Sequence, residues 1–144
     1  MQTVRDILKR KGSEIYSVTP DTSVYDALKL MAEKNIGAVL VVEGDQPVGI
    51  LSERDYARQV ILKGKTSKDT PVREIMTSKI VFVGPAQTVE ECMALMTDKR
   101  IRHLPVLEEH QLVGILSIGD VVKAVISEKQ FLIEQLEHYI SSSG

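Results

Sequence analysis

The chain has 144 residues, 43% apolar and 26% charged, with 4% aromatic residues and no Trp; this is the make-up of one ordinary domain with an aliphatic core, able to bury roughly two-thirds of its unfolded surface. A formal net charge of -2 leaves no electrostatic footprint for nucleic acid. The single Cys92 rules out an internal disulfide, and the charged Met1 to Lys11 without an apolar h-region, with no apolar run near about 18 residues anywhere, argues against a signal peptide or membrane span, so the cytoplasm is the expected compartment.

Val4 to Leu8 reads as a short lead-in helix, ended by Lys9-Arg10-Lys11-Gly12. Ile15 to Val18 alternates like a strand and stops at Thr19-Pro20. Val24, Ala27, Leu28, Met31 and Ala32 mark one apolar helix face, with Ser23 and Asp26 spaced as a capping box and a stop near Asn35 and Gly37. Ala38 to Val42 and Val48 to Leu51 are β-branched runs around a polar turn, and a helix is expected from Ser52 to Leu62, with Gly64 ending it. Lys63 to Thr70, small and charged, is a linker.

The second half replays this order. Ile80 to Val83 is the expected strand, Thr88 and Glu91 frame a capping box for a helix over Val89 to Lys99, and Arg102 to Leu107 with Leu112 to Leu116 form the hairpin. Pro105 inside that hairpin argues for an edge strand. Cys92 falls on the apolar face Val89, Cys92, Met93, Met96 and reads as a small core residue. Beyond the repeat, Leu132, Ile133, Leu136, Tyr139 and Ile140 stripe a tail helix over Lys129 to Ile140, which either packs back on its own domain or offers a dimer or partner surface; Ser141 to Gly144 is a frayed end.

Written without gaps, Val18 to Val60 and Val83 to Val125 agree at about 17 of 43 positions. The lead-in repeats as well, Val4-Arg5-Asp6-Ile7-Leu8 against Val72-Arg73-Glu74-Ile75-Met76. A period of about 65 residues is too long for a solenoid unit and suits two halves of one small domain. Each half reads β-α-β-β-α, an α+β unit with one apolar sheet face to cover, and two copies packed about a pseudo-two-fold axis would bury a continuous core. The expected divisions are residues 1–66, 67–128 and the tail 129–144.

Each half closes on the same phrase, Val48-Gly49-Ile50-Leu51-Ser52-Glu53-Arg54-Asp55 and Val113-Gly114-Ile115-Leu116-Ser117-Ile118-Gly119-Asp120. A Ser at a helix start with an Asp one turn on can grip a ribonucleotide, the carboxylate taking both hydroxyls of a vicinal diol. The same spacing is also a plain capping box. Arg102-His103 place two donors at a strand mouth, suited to phosphate, where the first half has the small, apolar Ile36-Gly37-Ala38, against which a flat base can lie. Arg54 supplies a cation to the other site or is a solvated charge, and Lys9-Arg10-Lys11 either faces the cleft or is a solvated turn.

The paired closing phrases, Ile75-Met76-Thr77 and Arg102-His103-Leu104-Pro105-Val106 together resemble a tandem CBS-domain protein, a Bateman module of the small stand-alone bacterial type, over nearly the whole chain. The resemblance implies regulatory binding of adenosine nucleotides (AMP, ADP, ATP, NAD(H) or S-adenosylmethionine) in the cleft between repeats, without catalysis or a catalytic cofactor. It implies ribose at Asp55 and Asp120, with Ser52 and Ser117 by ribose or phosphate. Arg102 and His103 would meet the phosphate at the Asp120 site, with adenine against Ile15, Tyr16, Ile36 and Gly37; the partner site would hold adenine near Thr77, Ile80, Val81 and Ile101, with Arg54 near its phosphate. It further implies a homodimer. The first repeat departs from the pattern, having Leu8-Lys9 where the second has Met76-Thr77.

An enzyme finds no support: His103, His110 and His138 lack metal-ligand spacing, and no Gly-rich phosphate loop or nucleophile elbow occurs. The remaining alternative is an interaction module with vestigial nucleotide sites. In either case output passes to another, unidentified protein.

Overall fold

The structure, a computed structural model, describes residues 2–143, and side chains of residues 2–141. It divides into a continuous unit, Ile15–Ile80, and a discontinuous unit, Met1–Glu14 with Val81–Gly144. The two compact units therefore do not follow the sequence repeat: each lead-in has left its own repeat for the other.

In the continuous unit, β1 (Ser17–Val18) runs parallel to β2 (Ala38–Glu43), which pairs antiparallel with β3 (Gln46–Ser52). Helix α2 (Val24–Lys34) begins where the Ser23 hydroxyl accepts from the Asp26 N–H and ends at Asn35, in the left-handed region at φ 54°. Its apolar face, Val24, Ala27 and Met31, meets Val39, Val41 and Leu51 of the sheet. The lead-in of the second repeat completes this core with Val72 and Ile75: Val72 N donates to Thr22 O at 2.8 Å, and Thr77 and Ile50 exchange two backbone bonds of 2.9 Å. Here Gly49 lets the chain approach closely, since a Cβ on it would lie 2.5 Å from Met76 Sδ.

The discontinuous unit is built in the same way from the other lead-in. Helix α1 (Val4–Lys11) carries a capping box between Thr3 and Asp6 and runs one turn further than the sequence suggests, to Gly12 at φ 94°. Val4 N and Arg5 N donate to Gln87 O and Pro85 O, each at 2.9 Å, and Val4 and Ile7 enter a core with Val89, Cys92, Leu104, Val106, Leu116 and Val121. Gly114 stands to Leu8 as Gly49 stands to Met76, its absent Cβ 2.6 Å from Leu8 Cδ2. Helix α4 (Val89–Lys99) has the predicted Thr88–Glu91 box, but Met93 points outward, 39% exposed. Strands β4 (His103–Glu108) and β5 (Gln111–Ser117) form a two-stranded sheet. Its buried Leu104 and Leu116 contribute about 1.5–3 kcal/mol each.

Three expectations are corrected. Ile80 to Val83 is not a strand; only Val83 bridges Val106, in parallel. In the continuous unit Leu40 N donates to Tyr16 O, and the equivalent donor, one repeat on, is Pro105, which has no N–H. The ladder stops there, and Pro105 does sit on the edge of its sheet. The helix after Ser52 is α-helical only over α3 (Glu53–Tyr56) and continues as a π-helical stretch, Ala57–Ile61. Finally, the helix after Ser117 and the tail are one element, α5 (Ile118–Ser143), helical through most of the expected frayed end; Gly144 lies outside the described residues.

Candidate functional site

Both closing phrases end in a hairpin strand that turns into a helix, and in both the Asp reaches back to cap that turn. Ser52 N donates to Asp55 Oδ2 at 2.9 Å while Asp55 N donates to Ser52 Oγ at 3.2 Å. In the discontinuous unit Ser117 N donates to Asp120 Oδ2 at 2.8 Å and Asp120 N to Ser117 Oγ at 3.2 Å. The capping reading is thus realised at both junctions, and it fixes each carboxylate in one orientation. The cap engages Oδ2 at both junctions and leaves Oδ1 outside it.

Sheet register assembles the rest of each group. Ala38 pairs with Ser52, and Gly37 O accepts from Glu53 N at 3.1 Å; likewise His103 pairs with Ser117, and Arg102 O accepts from Ile118 N at 2.8 Å. Gly37, Ala38, Ser52 and Asp55 therefore stand together in the continuous unit, and Arg102, His103, Ser117 and Asp120 in the other. Thr77 joins the first group, its hydroxyl 3.4 Å from Asp55 Oδ1. Arg54 is half-buried in α3. Tyr16 lies with the Lys34 ammonium 5.2 Å from its ring centroid, and Ile36 packs against the core beside it. Ile15 and Ile80, both half-buried, belong to the continuous unit; Val81 and Ile101 pack on the core of the discontinuous one.

The two carboxylates differ in what else they touch. Lys11, at the end of α1, places Nζ 2.5 Å from Asp120 Oδ2 and 2.6 Å from Ile115 O. Burial alone would raise the Asp120 carboxyl, but the Lys11 hydrogen bond, the Ser117 N–H and the Lys11 charge outweigh it and hold the group below the usual carboxylate range. Among the described residues no cation is paired with Asp55. A cavity of about 330 Å³ opens beside Asp120, with Arg10, Lys11 and Lys123 on its wall and Ile7 and Ala124 as its apolar side. In the continuous unit a cavity of about 590 Å³ is lined by Ile36, Gly37, Glu53 and Tyr56 with Leu28 and Met31.

The sequence leaves Lys11 either facing a cleft or in a solvated turn, and it does not single out Glu53, Tyr56 or Lys123 as site residues. Only the exchange of lead-ins reveals Lys11, since its partner lies 109 residues on. Among the described residues no group of three or more His, Cys, Asp or Glu is placed to hold a metal, and no helix is long and apolar enough to cross a membrane.

Comparison with known proteins agrees with this architecture. The CBS domain family matches twice, over residues 4–61 and 72–127. The chain is 45% identical to the CBS domain-containing protein CBSX3, mitochondrial, of Arabidopsis thaliana, across 96% of this chain and 71% of that protein. It is 33% identical to the CBS domain-containing protein YhcV of Bacillus subtilis, with 84% of each covered. Among solved structures, a protein with CBS domains from Burkholderia ambifaria MC40-6 shares 57% identity and a TM-score of 0.85, over 88% of this chain and 95% of that one. A hexameric CBS-CP12 protein from bloom-forming cyanobacteria follows at 32% and 0.75, over 83% and 70%. With both repeats matched and the fold shared, the chain belongs to the CBS-domain family.

Proposed function

We propose that this CBS-domain protein is a regulatory module that binds an adenosine nucleotide of the AMP, ATP or NAD(H) type, senses energy or redox state, and signals through the geometry of a homodimer or of an unidentified protein target, without catalysis. The supporting observation is the pair of capped carboxylates, Asp55 and Asp120, each fixed at a strand-to-helix turn, with Oδ1 outside the cap and, at Asp55, shared with the Thr77 hydroxyl at 3.4 Å, so that a second lone pair is left for a ribose hydroxyl. Ile36 and Gly37 line the larger cavity as a base-sized apolar wall, and Lys11, Arg10 and Lys123 give the smaller one the cations a phosphate needs. The hexameric relative supports signalling through assembly. We place the module in the cytoplasm, although CBSX3 is a mitochondrial protein.

A second reading, an interaction module with vestigial sites, draws on the same caps: Ser52, Asp55, Ser117 and Asp120 satisfy each other with no ligand. Thermal denaturation with AMP, ADP, ATP, NAD, NADH and S-adenosylmethionine, each near 1 mM, separates the two. A ligand at about 100 times its Kd adds roughly 2.7 kcal/mol, a rise of about 5–10 °C for a chain of this size. On the nucleotide reading one ligand raises Tm and Asp55→Ala or Asp120→Ala loses that rise, each measured from its own lower baseline. No rise with any of them, in protein purified free of nucleotide, leaves the interaction module.

A further inference from the structure

The last half of α5 lies outside the matched family region, which ends at residue 127. Every described side chain from Lys129 to Ser141 is exposed, yet the helix is not polar. Ile126, Leu132, Ile133 and Leu136 are 60%, 56%, 49% and 61% exposed, and Tyr139 and Ile140 lengthen the same stripe. A helical stretch of about 15 residues is marginal in water by itself, and an apolar stripe of this width is the part of a helix that stability requires to be covered.

We propose that this stripe is covered by the same stripe of a second copy, the two tail helices pairing antiparallel about a two-fold axis. Three observations select that occupant. Ile126, Ile133 and Ile140 recur every seven residues with Lys129 and Leu136 between them, the seam spacing along which one helix packs against another. The six apolar side chains bare on the order of 700 Å² per copy, close to the roughly 800 Å² each partner buries in a stable interface. The charges then fix the direction. A parallel pair sets Lys129 against Lys129, whereas an antiparallel pair centred between Ile133 and Leu136 brings Lys129 within a turn of the second copy's Glu137 and Leu132 beside its Tyr139. This pairing needs no nucleotide and stands apart from the ligand reading.

The test is the mass of the full-length, nucleotide-free protein by sedimentation equilibrium, with circular dichroism and Tm on each variant. Ile133→Asp with Leu136→Asp is expected to halve the mass, weaken self-association at least 100-fold and abolish the rise of Tm with protein concentration that a dimer shows, while the single chain stays folded because neither side chain enters its core. Lys129→Glu is expected to weaken it about tenfold, and Lys129→Glu with Glu137→Lys to restore it. The proposal is overturned by a wild type that is monomeric at 100 μM, or by a double Asp variant of unaltered mass. It falls equally if that variant loses Tm at constant mass, which would mean that the stripe covers the chain's own body. An unaltered affinity in Lys129→Glu would reject the antiparallel arrangement.

Discussion

Lys11 Nζ sits 2.5 Å from Asp120 Oδ2, so the last residue of the first lead-in helix neutralises the carboxylate that caps the last helix of the chain. The pair joins positions 109 residues apart and is only partly open to solvent, with Lys11 32% and Asp120 21% exposed in their side chains.

Because the folded Asp120 carboxyl is held below its ordinary value, the unfolded chain binds a proton there more readily than the folded one. The stabilisation is therefore complete above the ordinary carboxylate value, near pH 4, and is lost as pH falls through the folded value. Lys11→Met should cost about 1 kcal/mol at pH 7 and progressively less below pH 4. Urea unfolding of both proteins at pH 7 and pH 3 measures the narrowing gap; an equal loss at both pH values would show that Lys11 acts through packing alone.

The glycines under the lead-ins set a second expectation. Gly49→Ala and Gly114→Ala should each destabilise by about 1–3 kcal/mol through overpacking. Gly49→Ala should be the worse, since its Cβ meets the Thr77 carbonyl at 3.1 Å as well as Met76, and that carbonyl is tied to Ile50; at Gly114 the obstacle is the Leu8 side chain alone. Denaturant midpoints with unchanged m values check the order.

Pro105→Leu should restore the donor that Leu40 supplies in the other repeat. The new amide at position 105 is expected to be protected from hydrogen exchange by bonding to the Val81 carbonyl, with slower exchange at Val83 beside it. Rapid exchange at 105 would mean that something other than the missing N–H holds residues 80–83 out of the sheet.

Cys92 is buried in the core, and burial first, with the nearby Glu91 charge second, pushes its thiol up to about 11. At pH 8 almost none of it is thiolate, so iodoacetamide should label the native protein only at the rate at which the unit opens, and unfolded protein at once. Fast labelling that urea does not accelerate would contradict this burial.

What could be read from the sequence was what depends on near neighbours. Thr88 and Glu91, Ser52 and Asp55, Ser117 and Asp120 lie three apart, and their hydrogen bonds form wherever the chain starts a helix. The periodic faces of α2 and α4 and the two hairpins were legible for the same reason. What could not be read depends on distant residues. The partners of Val4 and Arg5, Gln87 and Pro85, have no local signature, so α1 reads as part of the repeat it precedes and Lys11 is left between a cleft-facing cation and a solvated turn. Ile80 to Val83 has a strand's composition, but the missing ladder bond belongs to Pro105. Repetition itself misled over α5, because the first repeat ends its helix at a glycine and nothing corresponding stops the second.

The exchange of lead-ins also orders events in time. During synthesis, the continuous unit has all its residues once Ile80 has left the ribosome, while residues 1–14 must wait for strands and helices made after it. Until α4 and β5 emerge, Val4, Ile7 and Leu8 have no core to enter. The lead-in helix is thus made well before it can fold, and any chain released early would expose that apolar segment to chaperones and proteases.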